Sequence, residues 1–246
     1  MQKKRQKLRY NLYTPLSTLK KVGPKPKGKV KIKWSADFAY AIGLMVTDGN
    51  LSSDGRHISF VSKDLEQIKN FAECLGLDNK IGDTFSGYKH MHSYRIQFGD
   101  IIFYKFLTSI GLSAAKSKTI GKVEVPQKHF FDYLRGVFDG DGCIYSYWDK
   151  RWRSSYMFYI SFVSASEKHV VWLRSEISNR IGSDGHVTMD GKGLTHQLKY
   201  AKRDSVELIK RMYYSKKVRC LTRKKLKIKA ILAIVDRQER AKSKRI

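Results

Sequence analysis

The feature of this sequence that most limits its fold is a pair of similar segments, each an apolar stretch that ends in an acidic residue and a glycine. The first is AIGLMVTDG at residues 41–49, and the second is LRGVFDGDG at residues 134–142. Their acidic residues, Asp48 and Asp141, are 93 positions apart, which is the length of a small domain. This spacing indicates one structural unit that occurs twice.

A second match supports the duplication. The pentapeptide ISFVS occurs at residues 58–62 and again at 160–164, and YRIQF at 94–98 lies opposite HQLKY at 196–200 with the same offset of 102. Because the offset grows from 93 to 102, the second half has nine extra residues between its acidic motif and these strands. The aromatic segment YSYWDKRWRSSY at 145–156 contains them, and we expect a longer first hairpin there.

The aromatic side chains of segment 145–156 have two interpretations. In the first, its tyrosines, tryptophans and basic residues reach along a bound nucleic acid. In the second, the hairpin buries Trp148 and Trp152 within its own half. The sequence leaves both open.

Hydrophobic periodicity gives each half the same order of elements: helix, two strands, helix, two strands, helix. Apolar residues at helical spacing predict a first helix from Ser35, as its N-cap, to Asp48. A strand is predicted at 56–62, followed by a helix at 64–75 with Gly76 as its C-cap. Two more strands and a helix follow, at 81–85, 94–98 and 100–110. The predicted fold class is α+β, with two αββαββα repeats.

The repeats divide the chain into three parts. Residues 1–33 contain twelve Lys or Arg and no Asp or Glu, and we predict an extended basic arm there. Residues 34–121 form the first repeat, and residues 122–246 form the second, which ends in a basic C-terminal tail (237–246).

The charge of the chain indicates a polyanionic partner. Lys and Arg total 49 against 22 Asp and Glu, which gives a formal net charge of +27. Such an excess destabilises a compact chain by self-repulsion, and nucleic acid is the commonest polyanion that neutralises it. A ribosome-associated structural role also fits the charge, but it does not account for the acidic repeat.

The remaining composition points to an intracellular protein. The three cysteines are far apart, form no CxxC pair and are expected to be reduced thiols. The N-terminal segment lacks the apolar region of a secretory signal, and no apolar run approaches the roughly 20 residues that span a bilayer. A bacterial or phage-infected cytoplasm and an organelle matrix fit equally well.

The two acidic segments resemble the LAGLIDADG signature of the homing endonucleases, and a chain with two copies is similar to the single-chain, pseudosymmetric members of that family. The resemblance implies that the two motif helices pack on each other along a pseudo-twofold axis, above a saddle of antiparallel sheets that holds DNA. Gly43 and Gly136, in mid-motif, would permit a close backbone approach that offsets the cost of about 1 kcal/mol in helix propensity. Asp48 and Asp141 then lie side by side.

The resemblance further implies metal-dependent cleavage of both DNA strands across the minor groove, with short 3′ overhangs. Asp48 and Asp141 are the expected catalytic and metal-binding residues, with Thr47 and Gly140 before them as further metal-binding candidates. Paired carboxylates suit a hard divalent cation, so Mg²⁺ is the expected cofactor, and Mn²⁺ or Ca²⁺ would occupy the same site. Thr47 is bulkier than the usual small residue at its position, and we expect it to loosen the helix contact.

Basic residues complete the expected active site. Lys116, in GLSAAKSKTI, resembles the lysine that the family presents toward metal-bound water, and Lys224 is its counterpart in RCLTRKKLKI, with Arg223 and Lys225 as alternatives of register. Plain phosphate contact is the competing role for each. Lys63, directly after the ISFVS strand, is a candidate for positioning water, whereas the matching Ala165 is not. The two centres are therefore expected to be unequal, with one strand nicked before the other.

The strand faces predict the DNA-binding residues. If Ile96 and Phe98 face the core, the alternate residues face outward, and Arg and Gln suit bidentate contacts with guanine and adenine. The predicted DNA-binding residues are Arg95, Gln97, Gln197, Lys199, Ser59, Ser161, Arg56, Arg151 and Arg153. The basic arm and tail would add salt-sensitive affinity.

One alternative keeps the fold without the cleavage: an RNA maturase that acts on its host intron RNA, or a DNA-binding regulator. Retention of both Asp48 and Asp141 argues against binding alone, because a scaffold needs no pair of carboxylates that face DNA. The expected protein is a monomer bound to double-stranded DNA, with intron homing as its role.

Overall fold

A computed structural model of the chain describes residues 28–86, 91–152 and 155–243. Of the predicted features, most of the basic arm (1–33) and Arg153 lie outside these ranges. None of the helices among the described residues is long and apolar enough to cross a membrane.

Each half of the chain contains the predicted series of seven elements. The first half consists of α1 (Ala36–Thr47), β1 (Gly49–Leu51), β2 (His57–Ser62), α2 (Leu65–Leu75), β3 (Ile81–Ser86), β4 (Met91–Gly99) and α3 (Ile101–Ser109). The second half consists of α4 (Phe130–Asp141), β5 (Cys143–Trp148), β6 (Tyr156–Ser164), α5 (Glu167–Ile181), β7 (His186–Met189), β8 (His196–Tyr200) and α6 (Lys202–Met212). One more helix, α7 (Thr222–Ser243), follows. The α+β class and the two αββαββα repeats are confirmed.

The two sheets have the same topology. Their strand orders are β1-β2-β4-β3 and β5-β6-β8-β7, and every neighbouring pair is antiparallel. In the first sheet Phe60 pairs with Ile96, and in the second Phe162 pairs with Leu198. Both partners shift by the same 102 residues between the sheets, so the structural repeat has the register that the sequence match predicted.

The local signals read from the sequence form where they were predicted. The Ser35 hydroxyl accepts a hydrogen bond from the Phe38 amide at 3.1 Å and caps α1, and Gly76 ends α2 in the left-handed conformation at φ 64°. In β2, Ile58 and Phe60 are fully buried and face the helices. Periodicity and capping therefore fixed the helix starts and the inward faces of the strands.

The contact between α1 and α4 lies at the centre of the molecule and depends on two glycines. A Cβ placed on Gly43 would lie 2.2 Å from the Tyr133 carbonyl oxygen, and one on Gly136 would lie 2.1 Å from the Tyr40 carbonyl oxygen. These positions face each other, since a Cβ on Gly43 would also lie 2.9 Å from the Gly136 Cα. Any side chain here would separate the helix backbones.

Thr47, which we expected to loosen this interface, lies opposite a glycine. Thr47 packs against Gly140, where an added Cβ would lie 2.6 Å from the Thr47 Cβ. The larger residue on α1 thus faces a glycine on α4, and a side chain at position 140 would collide with it. The Thr47 hydroxyl lies 2.9 Å from the Leu44 carbonyl oxygen and 3.2 Å from the Asp48 Oδ2, so its single hydrogen is shared between these two acceptors.

The hairpin of the second half is longer, as predicted from its extra residues. Strands β1 and β2 pair through three residues each, whereas β5 and β6 pair through six. The interpretation that this hairpin buries its tryptophans is wrong, because Trp148 is 50% exposed and Trp152 is 70% exposed. The extra length therefore exposes both tryptophans to solvent.

The basic residues of the predicted C-terminal tail (237–246) belong, as far as Ser243, to the last helix. Helix α7 continues to Ser243 without a break. It is anchored by Ile228, Ile231 and Val235, which are each 3% exposed and recur at spacings of three and four. This apolar stripe packs α7 against the second half, so the basic residues lie on a packed helix.

Candidate active site

The two acidic residues of the motifs lie at the ends of the central helices. Asp48 is the C-cap residue of α1, and Asp141 is the last residue of α4. Burial first, and then the charge of Asp141, raise the pKa of Asp48 from 3.8 to about 6. Desolvation also raises the pKa of Asp141. The packing of α1 on α4 therefore brings two carboxylates close enough to repel each other, where a cation would relieve the repulsion.

The Asp48 carboxylate is held from one side. Its Oδ2 accepts hydrogen bonds from the Thr47 hydroxyl at 3.2 Å and from the Gln67 side-chain amide at 3.4 Å. Gln67, on α2, in turn accepts a bond of 2.9 Å from the Ser62 hydroxyl. Sequence reasoning missed Gln67, and its only signal was a polar residue next to Ile68 on the buried face of an amphipathic helix.

A cavity of about 310 Å³ opens beside Asp48. Its lining combines first-half residues with Gly140 and Arg223 from the second half. Lys63 is exposed on this lining, so the structure places it near Asp48 as the sequence suggested. The matching position of the second half, Ala165, has no polar group.

The two predicted lysines lie at the ends of the motif helices. Lys116 donates to the Gly49 carbonyl directly after α1, and it is 5% exposed. Lys224 donates to the carbonyls of Asp139 at 2.9 Å and Gly142 at 2.7 Å, at the end of α4. Desolvation lowers the pKa of both ammonium groups to about 8. In the free protein, each lysine thus neutralises the negative end of one helix dipole.

The structure also shows which of three consecutive basic residues, Arg223, Lys224 and Lys225, occupies the position that matches Lys116. Lys225 points elsewhere, since its ammonium group donates to the Lys216 carbonyl at 2.9 Å. Arg223 pairs with Asp64 of the first half at 2.8 Å. Lys224 is therefore the counterpart of Lys116, because each contacts the end of the motif helix in its own half.

A buried network that the sequence did not reveal fixes the second motif. The Asp139 carboxylate accepts hydrogen bonds from the Tyr40 hydroxyl of α1 at 2.8 Å and from the Leu221 amide at 2.7 Å. Desolvation raises its pKa to about 6. The repeat position in the first motif is Val46, so this network exists in one half only. Its sequence signal was the extra acid in FDGDG.

The oxygen atoms at the ends of α1 and α4 suit a divalent cation, although they would supply only part of its coordination sphere. Among the described residues, no group of three or more His, Cys, Asp or Glu side chains is arranged to hold a metal ion. Asp48 and Asp141 supply two hard oxygen ligands, and a cation between them would relieve the repulsion by Asp141 that adds to the raised pKa of Asp48. Further ligands would be water, a backbone carbonyl or a phosphate oxygen. Of the predicted metal neighbours, the Gly140 carbonyl lies 3.3 Å from the Lys224 ammonium.

The outer faces of the sheets hold most of the predicted DNA-binding residues. Arg95 and Gln97 are exposed. Ile96, which lies between them, is 0% exposed, and Phe98, which follows them, is 3% exposed. Their counterparts Gln197 and Lys199 are half-buried, and Arg56 and Arg151 are exposed at the hairpin ends. Arg151 also pairs with Asp149 at 3.4 Å.

Two of the predicted DNA-binding residues are covered in the free protein. Ser59 and Ser161 lie on the outer faces but are only 6% and 3% exposed. Each sits in the second strand of its sheet, and Ser161 lies between Cys143 and Lys199 on the neighbouring strands. Ser59 lies between Asn50 and Gln97. Direct base contact by these serines is therefore blocked unless their neighbours move.

Three tyrosines extend the outer face of the second half, and we name them the tyrosine ladder. Tyr145 stacks on Tyr159 with ring centroids 5.1 Å apart, and Tyr147 stacks on the same ring at 6.3 Å. Since alternate residues of a strand share a face, the ladder continues the row that contains Ser161 and Lys199. The first half, with its three-residue hairpin strand, has no such extension.

Comparison with known proteins identifies the fold. No protein-family model and no curated protein sequence matches this chain. Among solved structures, full-length DUF199/WhiA from Thermatoga maritima aligns with TM-score 0.54 and 13% identity, over 85% of this chain and 63% of that protein. This chain thus spans less than two thirds of that relative.

Two endonuclease structures align comparably. The I-LtrWI LAGLIDADG homing endonuclease bound to target DNA gives TM-score 0.52 and 11% identity, over 85% of this chain and 91% of that one. I-SmaMI bound to uncleaved DNA target in the presence of calcium ions gives 0.50 and 11%, over 74% and 85%. The resemblance read from the two motifs is thereby confirmed as a shared fold: this chain has the LAGLIDADG fold. Since DUF199/WhiA has it too, the fold alone does not select a chemistry.

Proposed function

We propose that this protein is a site-specific DNA endonuclease that makes a double-strand break in a long target by metal-dependent hydrolysis. The observation that carries the proposal is the pair of carboxylates, Asp48 and Asp141, at the adjoining ends of α1 and α4. Their pKa values are raised by burial, and that of Asp48 also by its neighbour. A protein that only bound DNA would gain nothing from two acids held together against a polyanion.

The chain's own residues supply position and charge for this reaction. The Gly43–Gly136 contact sets the separation of the two carboxylates, and Gln67 with Thr47 fixes the orientation of Asp48. Lys116 and Lys224 place positive charge at the two helix ends, where it favours a phosphate and the charge that develops in the transition state. A bound divalent cation, with Mg²⁺ as the natural one, would activate water and stabilise the leaving oxygen.

Binding of double-stranded DNA fits both the charge and the shape of the molecule. The net charge of +27 favours a polyanion, and the outer faces present Arg95 and Gln97 in one half and Gln197 and Lys199 in the other. The DNA-bound I-LtrWI and I-SmaMI structures support the same partner. One chain contains both halves of the site, so we propose a monomer that cuts across the minor groove and leaves short 3′ overhangs, in an intracellular compartment, with intron homing as its role.

The proposal is tested with supercoiled plasmids that contain a target recovered by selection for binding from a randomised duplex library. With Mg²⁺, the wild-type protein is expected to give first nicked and then linear plasmid. Tight binding to the selected duplex without any cutting in Mg²⁺ or Mn²⁺ would instead favour the DNA-binding regulator. Preferential binding of a structured intron RNA over the duplex would favour the maturase.

The tyrosine ladder gives a prediction about recognition. Tyr147→Ala removes a ring that is 45% exposed and stacked on Tyr159, so apolar contact with base edges such as the thymine methyl is lost. We expect the affinity for the selected duplex to fall about tenfold, with the salt dependence unchanged because no phosphate contact is removed. Tyr147→Phe keeps the ring and should retain most of the affinity. Equal affinities of the alanine variant and wild type would remove the ladder from the interface.

A further inference from the structure

The cavity beside Asp48 receives one charged residue from the opposite half of the molecule. Lys63, Asp64 and Gln67 belong to the first half, whereas Arg223 stands in the first turn of α7 in the second half. Arg223 therefore reaches across the pseudo-twofold boundary into the centre that contains Asp48.

An ion pair holds Arg223 in this position. Its Nε and Nη2 donate to the Asp64 Oδ2 at 3.1 Å and 2.8 Å. This side-on contact fixes the plane of the guanidinium group and directs Nη1 away from Asp64. The side chain remains 59% exposed on the cavity lining, so it is oriented without being covered.

The centre that contains Asp141 has no equivalent of this arrangement. At the offset of 102, Lys63 and Asp64 correspond to Ala165 and Ser166. Arg223, which precedes Lys224, corresponds to Ala115, which precedes Lys116. Ser166 instead donates its hydroxyl hydrogen to the Ile120 carbonyl at 2.5 Å. The positions that match Lys63 and Arg223 in the other repeat are thus both alanines, Ala165 and Ala115, and neither supplies a positive charge at the Asp141 centre.

We propose that Arg223 contacts a non-bridging oxygen of the scissile phosphate at the Asp48 centre, and that the strand held there is cut first. The proposal rests on the proposed endonuclease function for the order of the cuts. A guanidinium group whose one edge is fixed by a carboxylate presents its remaining N–H groups to a phosphate with little loss of side-chain freedom. It therefore stabilises the charge that develops on that phosphate, and the Asp141 centre lacks this contribution.

The phosphate contact is tested without cleavage, in EDTA. A single neutral methylphosphonate is moved across the central phosphates of each strand of the selected duplex, and binding is measured for wild type and Arg223→Ala. We expect one central position at which the wild type loses about tenfold in affinity and the variant loses none. Identical profiles for the two proteins would overturn the contact.

The order of the cuts is tested with both strands end-labelled, in Mg²⁺. Arg223→Ala should slow one strand by about 10²-fold and leave the other strand nearly unchanged. Lys63→Met should slow the same strand, and Arg223→Lys should restore part of the rate. Equal slowing of both strands, or of neither, would contradict the proposal.

A matched control at Arg219 separates a phosphate contact by Arg223 from a role of Arg223 in holding the two halves of the protein together. Arg219 also pairs across the halves, with Glu73, but does not line the cavity. Arg219→Ala should therefore leave the ratio of the two strand rates unchanged, and a ratio that moves as in Arg223→Ala would overturn the proposal. A wild-type protein that binds but cuts neither strand overturns the endonuclease function and the order of cuts, while the methylphosphonate profile still decides the contact.

Discussion

Asp48→Asn is expected to stop cleavage of the strand held at the Asp48 centre and, at the same time, to make the metal-free protein more stable. The loss of a carboxylate removes a ligand for the cation and several kcal/mol of transition-state stabilisation, which corresponds to about 10³-fold in rate. Binding of the selected duplex should persist or tighten, since a negative charge that faces DNA is removed. Cleavage is measured on labelled duplex in Mg²⁺, and binding is measured in Ca²⁺.

The stability gain follows from the pKa of Asp48. Burial and Asp141 raise that pKa from 3.8, its ordinary value, to about 6 in the folded protein. The folded state therefore binds a proton more readily than the unfolded state, and near pH 7, where both states are ionised, the raised pKa destabilises the wild type by up to about 3 kcal/mol. As the pH falls through 6 the folded protein becomes protonated, and the penalty shrinks until it disappears below the unfolded value near 4.

Urea unfolding of wild type and Asp48→Asn without metal measures this difference directly. The variant should be more stable near pH 7, and the difference should vanish near pH 4. Ser53→Asn, at an exposed position of the turn after β1, is a surface control that should show no such pH dependence, because no carboxylate is changed. A variant less stable than wild type at neutral pH would mean that Asp48 is stabilised in the free protein, in conflict with its raised pKa.

Local features of the fold and site were predictable from sequence because they follow from short-range periodicity and from the repeat. The helix start at Ser35 and the outward faces of Arg95 and Gln97 depend on neighbours within a few residues. The pairing of Asp48 with Asp141 was implied by the resemblance to the LAGLIDADG homing endonucleases, in which the two motif helices pack on each other. Gly43 and Gly136 were identifiable on the same basis.

Features that depend on contacts between distant residues were not predictable. Tyr40 and Asp139 are 99 positions apart, and Asp64 and Arg223 are 159 apart. No periodicity links such pairs, and the repeat misleads here because Asp139 and Arg223 have no charged equivalents in the first half. Ser59 was assigned to the correct face, but its burial depends on the side chains of Asn50 and Gln97 on other strands.

The departures from symmetry share a physical pattern. The centre that contains Asp48 has two further cations, Lys63 and Arg223, on the lining of its cavity. The second half contains the longer aromatic hairpin and the buried Asp139 network. Two copies of one unit joined in a single chain are free to diverge, since each target strand meets only one centre and one outer face. A target without exact palindromy is the expected consequence.

Gly43→Ala tests the central helix contact on which the whole site depends, and we expect one of the largest losses of stability in the molecule. The added methyl group would lie 2.2 Å from the Tyr133 carbonyl oxygen and 2.8 Å from the Val137 amide nitrogen. These are backbone atoms, so α1 and α4 must move apart. The steric cost should exceed the gain of about 1 kcal/mol in helix propensity and leave a net loss of about 3 kcal/mol or more.

Gly82→Ala is the matched control, because an added Cβ there meets no atom within 4 Å and the backbone is not left-handed. Urea unfolding should show Gly82→Ala within about 0.5 kcal/mol of wild type and Gly43→Ala far below it. A Gly43→Ala protein as stable as the control would mean that the helices are not in backbone contact. Where the variant still folds, its separated helix ends hold Asp48 and Asp141 too far apart. Because about 1 Å of misplacement costs about 10²-fold in rate, cleavage should fall even at temperatures where the protein remains folded.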